Sequence, residues 1–417
     1  MTDSIKEATL TKSDLEELLR PKFGESITVD DFSTTFLTEP GDNYGSTMLA
    51  VEVILGPNKE KLPLVAKLLP PNEMSRQLFQ CHITVRKEID IYTLVSPEFS
   101  RIQRENGVPL DKVLDVFPEC YGARATRELD IGQPADEGSA ILLENLKISG
   151  YENGDRIIGL DLKHSELVMK KLARFHATAI AIKIKKPQVF KQTVLKTCKY
   201  VKGTIGSLEK EQEFYGGMLK VLKAFPVFNK HINKISAAIE EDIADRFNDS
   251  IPQPREPFAS IVHNDFWTNN MMFQYKSKDH KNPIGFKIVD YQVTFYGSPL
   301  FDLIFFLFTS TKLGIVSEHF ERLVKLYYDS LVDCLSLLDC DIRPFSFEKF
   351  QEELEDIAPQ LLTKNLMMLL PITMDKTKDM KNESSPKVGD LDFSSYSEEY
   401  IKKSSQVVTE YVKRGWL

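Results

Sequence analysis

The run Ser260–Phe273, SIVHNDFWTNNMMF, sets His263, Asp265, Asn269 and Asn270 inside an otherwise apolar stretch. Polar groups so placed need partners, because each unmet buried hydrogen bond costs about 1–3 kcal/mol. Downstream, FKIVDYQ puts Asp290 at the end of an apolar strand. Between them, MMFQY (271–275) and GFKIV (285–289) read as two short strands joined by the turn-rich KSKDHKNPI. Asp265 and Asn270 precede the first strand and Asp290 follows the second, so an antiparallel hairpin returns all three to one end. Asparagine and aspartate oxygens are hard ligands suited to magnesium. Asp265 remains as an acceptor for a hydroxyl proton. A metal that neutralises phosphate charge, beside a carboxylate that orients an attacking hydroxyl, is the machinery of phosphoryl transfer. His263 reads as a loop support that hydrogen-bonds, and Asn269 as a bystander or brace.

The elements that must position these residues follow from the patterning. Ser13 to Leu19 reads as a short helix capped by Ser13, with Glu16 three residues on. DDFSTTFL (31–38), MLAVEVIL (48–55) and PLVAKLL (63–69) read as three antiparallel strands, the first two joined by the turn 38–47. Residues 73–95 read as one helix, with Phe79, Ile83, Ile91 and Leu94 among its apolar positions. Further strands are expected near 120–126 and at SAILLENL (139–146). From about 160 the chain reads as mainly helical, and Val168, Leu172, Phe175 and Ala179 make a buried stripe. Helices are expected over 206–224, 227–246, 315–338, 346–356 and 394–413, and the polar stretch 375–390 reads as a surface loop. The organisation is a β-rich unit, 1–144, followed by a helical unit, 145–417, with a ligand cleft between them.

Lys67 lies inside PLVAKLL, where an ammonium is costly to desolvate unless paired. Glu88, in VRKEIDIY (85–92), is the best-placed acid for it, with Asp90 second. PGDNYGS, with Asn43, Tyr44, Gly45 and Ser46, can form a turn whose N–H groups approach phosphates. Glu144 and Leu146 close the strand ILLENL. His176 reads as a packed core histidine, Lys183, Lys185 and Lys186 as a solvated helix end, and FFLF (305–308) as core.

The chain as a whole narrows the function. Its 417 residues are 42% hydrophobic and 27% charged, ordinary for a globular protein. Lys plus Arg (53) against Asp plus Glu (61) gives −8, which argues against a nucleic-acid binder. The five cysteines form no metal-binding pair and suggest reduced thiols in a cytoplasmic setting. PLFDLIFFLF (299–308) is too short to span a membrane, and MTDSIKEATLTKSDLEELL has no signal-peptide core. No feature calls for an obligate protein partner.

The pattern H-x-D-x(4)-N followed by D-Y-Q resembles the kinase pair H-R-D-x(4)-N and D-F-G. With GDNYGS, VAKLLP, KEIDIYTLV, ILLENLKISGY, LARFHA, VHNDFWTNNMMF and IVDYQVTFYGSPLFDLIFFL, the chain resembles the aminoglycoside/choline kinase branch of the protein-kinase-like superfamily. Within it, the closer resemblance is to the ecdysteroid kinase-like (CHK kinase-like) family. That resemblance implies an α+β, bilobal protein-kinase-like fold, with a small antiparallel-sheet N-lobe and a larger helical C-lobe. It implies ATP and Mg2+ as cofactors and a small-molecule alcohol as substrate. By position it makes Asp265 the base, Asn270 and Asp290 magnesium ligands, and Lys67 a phosphate contact paired with Glu88. It also implies that the backbone of Glu144 and Leu146 would meet an adenine. Asp302, in SPLFDL, becomes a buttress of the catalytic loop.

The chain departs from the pattern at three places. Asn264 stands where the family usually has Gly, which raises the expectation of a left-handed backbone there. Tyr291 stands where Phe is usual. Trp267 stands where protein kinases place Lys, which argues for a non-protein substrate and an aromatic pocket wall. An apolar alcohol such as an ecdysteroid or another steroid is the leading substrate class, and a xenobiotic alcohol the next. A silent binding protein of kinase fold is disfavoured by the presence of Asp265, Asn270 and Asp290. A Ser/Thr protein kinase is disfavoured by Trp267 and by the lack of Ala-Pro-Glu after Asp290.

Overall fold

The computed structural model describes residues 10–37, 45–127, 133–203, 206–248, 251–277, 280–374 and 396–417. The expectations for Asn43, Tyr44 and the stretch 375–390 lie outside them.

Helix α1 (Lys12–Phe23) begins two residues earlier than Ser13 suggested. Thr11 is the N-cap, and Asp14 completes a capping box with it. Asp14 wins over Glu16 because its carboxylate is also held by Arg124 and Arg127, whereas Glu16 accepts from Val29 N at 2.9 Å. Strands β1 (Thr28–Phe36), β2 (Thr47–Gly56) and β3 (Glu60–Leu68) follow as an antiparallel meander. With β4 (Cys120–Arg124) and β5 (Ala140–Glu144) they form one sheet of order β1-β2-β3-β5-β4. Period-two alternation sorts its faces. Leu49, Val51, Val53, Ala66 and Leu68 pack with Leu15, Leu18 and Leu19 of α1 in a core of their own. The alternate residues of β3, Val65 and Lys67, face the other way and line a cleft with Leu143 of β5.

The helix expected over 73–95 is broken and extended. It comprises α2 (Glu73–Leu78), α3 (Cys81–Asp90), one π turn (Ile91–Val95) and α4 (Ser96–Glu105). The break falls at Gln80, whose φ is +47° and whose amide donates to Lys202 O at 2.8 Å. That reset turns Ile83 outward, while Val85, Ile89 and Ile91 are buried.

After β5 the chain crosses to β6 (Tyr151–Asn153), a strand the patterning had not suggested, which pairs with Met272–Gln274. Helix α5 (Leu162–Lys185) buries Val168, Leu172, Phe175 and Ala179 as expected from their spacing. Short α6 (Pro187–Gln192) and α7 (Val194–Thr197) lead to α8 (Leu208–Lys223). The helix expected over 227–246 is divided into α9 (Pro226–Asn229) and α10 (Ile232–Phe247). Strand β7 (Ser260–Val262) precedes the hairpin of β8 (Met271–Tyr275) and β9 (Pro283–Ile288), and pairs with β10 (Phe295–Gly297). Among the described residues, the helices that follow are α11 (Leu300–Thr309), α12 (Ile315–Leu337), α13 (Phe347–Ile357), α14 (Leu362–Thr373) and α15 (Glu398–Arg414). The sequence reading had not anticipated α14.

Phe305 to Phe308 lie buried in α11. The lysines at the end of α5 are not simply solvated. Lys183 donates to Glu256 at 2.6 Å and Ala259 O at 2.7 Å, and Lys186 pairs with Glu105 at 2.5 Å. All five cysteines are unpaired. No helix of the described residues is long and apolar enough to cross a membrane. The architecture is α+β, an antiparallel sheet followed by a larger helical part that carries a small three-stranded sheet.

Candidate active site

Asn270 and Asp290 of the hairpin meet Lys67 of the sheet at one cleft, and Asp265 lies against Asn270. Lys67 Nζ lies 2.6 Å from Glu88 Oε2 and 3.0 Å from Asp290 Oδ1. Glu88, not Asp90, is the partner, since Asp90 pairs with Arg86 at 3.0 Å. The Lys67 and Glu88 side chains are 5% and 1% exposed, so the pair is held away from water. Burial works to lower the Lys67 pKa, but Asp290 and Glu88 outweigh it and raise it to about 12. Burial pushes Glu88 up to about 7, against the pull of Lys67. A second lysine fixes α3. Lys87 Nζ donates to Thr294 O at 2.7 Å and Lys199 O at 2.8 Å, tying the helix that carries Glu88 to the segment after Asp290.

The loop between β7 and β8 carries Asp265 and Asn270. Asn270 Nδ2 donates to Asp265 Oδ2 at 2.8 Å and to its carbonyl at 2.9 Å. Both amide hydrogens are thereby used, which leaves Oδ1 without an intramolecular partner among the described residues. Val289 N donates to Asn270 O at 3.0 Å, drawing Asp290 alongside. Burial, then the neighbouring Asp290 carboxylate, raise the Asp265 pKa above the usual aspartate value. Among the described residues there is no cluster of three or more His, Cys, Asp or Glu arranged for a metal. Among the oxygen donors that line the cleft, Asn270 and Asp290 are the two at the end of the hairpin, a hard pair that suits magnesium.

A buried network holds that loop. Asp302, fully buried at the start of α11, accepts from His263 N at 2.6 Å and Asn264 N at 2.8 Å. His176 Nε2 lies 3.2 Å from the same carboxylate, and its Nδ1 lies 2.6 Å from Tyr327 Oη. Burial holds the His176 pKa below the ordinary value, so its ring is neutral near pH 7. His263 Nε2 donates to Val289 O at 3.0 Å, and its Nδ1 accepts from Asp265 N at 3.3 Å. Asn264 is left-handed, with φ +69°, as the usual glycine there would allow. Asp290 is also left-handed, with φ +66°.

The cleft encloses about 180 Å³ and is lined by Ser46, Val65, Lys67, Glu144, Leu146, Asn270 and Asp290, among others. The Leu146 carbonyl is committed to Tyr151 N, while its own N–H has no backbone partner among the described residues. Gly45 sits against Gln292 and Phe79. Trp267 is half-buried and does not line this cleft, and its indole N–H works to lower the pKa of the nearby Asp265 carboxylate. Asn269 is exposed at the rim of the cleft, and its carbonyl accepts from Asn153 at 2.9 Å, a contact that braces the loop. Tyr291 sits in an aromatic cluster with Tyr92, Phe117 and His263, its hydroxyl unpartnered.

One charged neighbour of Asp265 escaped the sequence reading. Lys364, from α14, donates to Asn264 O at 2.5 Å and to Asn264 Oδ1 at 2.8 Å. Its signal was present. It is the lone charge in LLTKNLMMLL, just as Lys67 is in PLVAKLL.

Comparison with known proteins adds a family. No curated protein matches the chain. An aminoglycoside phosphotransferase solved with ADP is 14% identical, covering 94% of this chain and 100% of that one, with a TM-score of 0.35. A microcompartment-associated aminopropanol kinase is 10% identical over 93% and 94% of the two chains, with a TM-score of 0.40. An aminoglycoside phosphotransferase from Alicyclobacillus acidocaldarius is 10% identical over 92% and 93%, with a TM-score of 0.37. The model of the ecdysteroid kinase-like family matches residues 40–340, well over half the chain. The chain therefore belongs to the ecdysteroid kinase-like family and is a phosphotransferase of the small-molecule kinase type.

Proposed function

We propose that this kinase transfers the γ-phosphate of ATP to a hydroxyl of an apolar alcohol such as an ecdysteroid or another steroid. The observation that carries the reading is that Lys67, Asn270 and Asp290 line one cleft, with Glu88 bound to Lys67 and Asp265 bound to Asn270 directly behind them. Lys67, kept charged by two carboxylates, binds the α- and β-phosphates. Asn270 Oδ1 and Asp290 are the hard donors that would hold magnesium, which when bound supplies neutralisation of phosphate charge. The adenine lies along Glu144 to Leu146, where the Leu146 N–H, without a backbone partner among the described residues, is the donor it requires. Gly45 and Ser46 cover the phosphates.

Asp265 takes the proton of the acceptor hydroxyl as its oxygen bonds to the γ-phosphorus, while the bond to the β-phosphate oxygen breaks and ADP leaves. Asp302 and His263 do not react. They keep the loop in the shape that aims Asp265. Trp267 forms an aromatic wall on the acceptor side. In this reading 1–144 is the nucleotide-binding lobe and 145–417 the catalytic lobe. The unpaired cysteines are in keeping with a cytoplasmic enzyme.

The test is incubation with ATP, magnesium and a library of ecdysteroids, other steroids and xenobiotic alcohols, read by mass spectrometry for gain of a phosphate. Phosphorylated ecdysteroid or steroid is expected. Product on xenobiotic alcohols alone would move the assignment to detoxification, and ATP binding with no product on any alcohol would overturn it.

A further inference from the structure

We propose that Lys364 is a positioning residue for phosphoryl transfer: by gripping both oxygens of Asn264 it sets the direction of the adjacent Asp265 carboxylate. The inference rests on the kinase reading above and deepens it.

The geometry is specific. Both hydrogen bonds from the ammonium end on one residue, the one immediately before Asp265. Asn264 occupies a left-handed conformation that an L-residue adopts at a cost. Its N–H is already fixed by Asp302, and its amide group reaches Val293 O at 3.4 Å. Lys364 thus supplies the remaining restraint, on the carbonyl and side-chain oxygens. The ammonium also lies 4.6 Å from the centre of the Phe305 ring, a cation–π contact from the helix that carries Asp302.

The site is costly for a lysine, which argues against a merely accidental contact. Lys364 is half-buried, and on its side of α14 Leu361 is buried and Met367 and Met368 are half-buried. Burial pushes the Lys364 ammonium down to about 8, opposed by the Asp265 and Asp302 carboxylates. Arg246 and Asp242 of α10 are its other charged neighbours. A leucine or methionine would pack there more cheaply. What the lysine adds is a link between α14 and the loop that carries the base.

The experiment uses the full chain and the variants Lys364→Met, Lys364→Gln and Lys364→Arg. ADP formation is followed with ATP, magnesium and a polyhydroxylated sterol as probe acceptor, and ATP affinity is measured separately by titration. Lys364→Met is expected to lower kcat by about 100-fold, since a small misplacement of a reacting group has that effect. Its ATP affinity should stay within about twofold of wild type, because the contacts of Lys364 end on the loop and not in the cleft. Lys364→Gln gives the same reading should the methionine variant fail to fold. Lys364→Arg, which keeps the charge, should recover a substantial part of kcat. A neutral variant with wild-type kcat overturns the proposal. So does loss of ATP affinity in step with kcat, or an arginine variant no better than methionine. Wild-type enzyme that forms no ADP, with or without the sterol, overturns the kinase reading and this inference with it. Wild-type turnover with unaffected Lys364 variants overturns this inference alone.

Discussion

Replacing Asp302 by Asn tests how the catalytic loop is held, at almost no change in volume. The carboxylate is fully buried and its two oxygens serve separate donors, His263 N at 2.6 Å and Asn264 N at 2.8 Å. An asparagine keeps one carbonyl oxygen. Its other position becomes an NH2 group that faces a backbone N–H or the His176 ring, donor against donor. Each charge-assisted bond contributes about 1.5–3 kcal/mol, and an unmet buried donor costs about 1–3 kcal/mol. Removing a buried negative charge recovers part of that loss. The net expectation is destabilisation by about 2–4 kcal/mol, a large share of the ~5–15 kcal/mol by which domains are stable. Urea unfolding followed by circular dichroism reads it as a lower midpoint with an unchanged slope. Turnover of the folded fraction should fall as well, because the donors being released bracket the residues before Asp265. A variant with the wild-type midpoint and wild-type kcat would refute the idea that Asp302 holds this loop.

Other perturbations separate the roles of neighbouring residues. Asp265→Asn should cut kcat by about 100-fold or more while ATP still binds, as measured by ADP release and nucleotide titration. Asn264→Gly should leave the urea midpoint nearly unchanged, since relief of the left-handed conformation offsets the lost side-chain contacts, whereas Asn264→Ala should cost about 1–2 kcal/mol. His176 gives a pH signature. Its pKa is depressed in the fold, so its contribution is present above the ordinary histidine value and lost as pH falls through the folded value. Thermal melts between about pH 7.5 and 5 should show wild-type stability falling by at most ~1.4 kcal/mol per pH unit from this ring, and His176→Gln should flatten that slope.

Much of the fold was legible because its signals are local. The alternation in MLAVEVIL describes a strand with one buried face, and β2 has that face. The stripe through α5 and the hairpin of β8 and β9 are equally short-range patterns. The errors arose where a distant partner decides a local question. Thr11 rather than Ser13 caps α1 because Asp14 is held by arginines more than a hundred residues away. The helix over 73–95 breaks at Gln80, whose amide reaches Lys202. Strands β6, β7 and β10 are three residues each, too short to carry a period, and exist only because another strand lies beside them.

The same division runs through the site. Asp265, Asn270 and Asp290 belong to one hairpin, and antiparallel geometry alone brings such positions to one end. Lys67 and Lys364 show what local reasoning supplies and what it does not. Each is a single cation in an apolar run, and in each case the cost of burial says that a partner must exist. For Lys67 a resemblance supplied the partner, and the structure places Glu88 at 2.6 Å. Lys364 lies beyond residues 40–340, where the family model ends, so no motif named its partner. Its contact with Asn264 spans 100 residues and depends on how α14 packs against α10 and α11. A half-buried cation in an apolar run outside every motif is therefore where a structure adds most to a sequence of this kind, because the physics poses the question and only the fold can answer it.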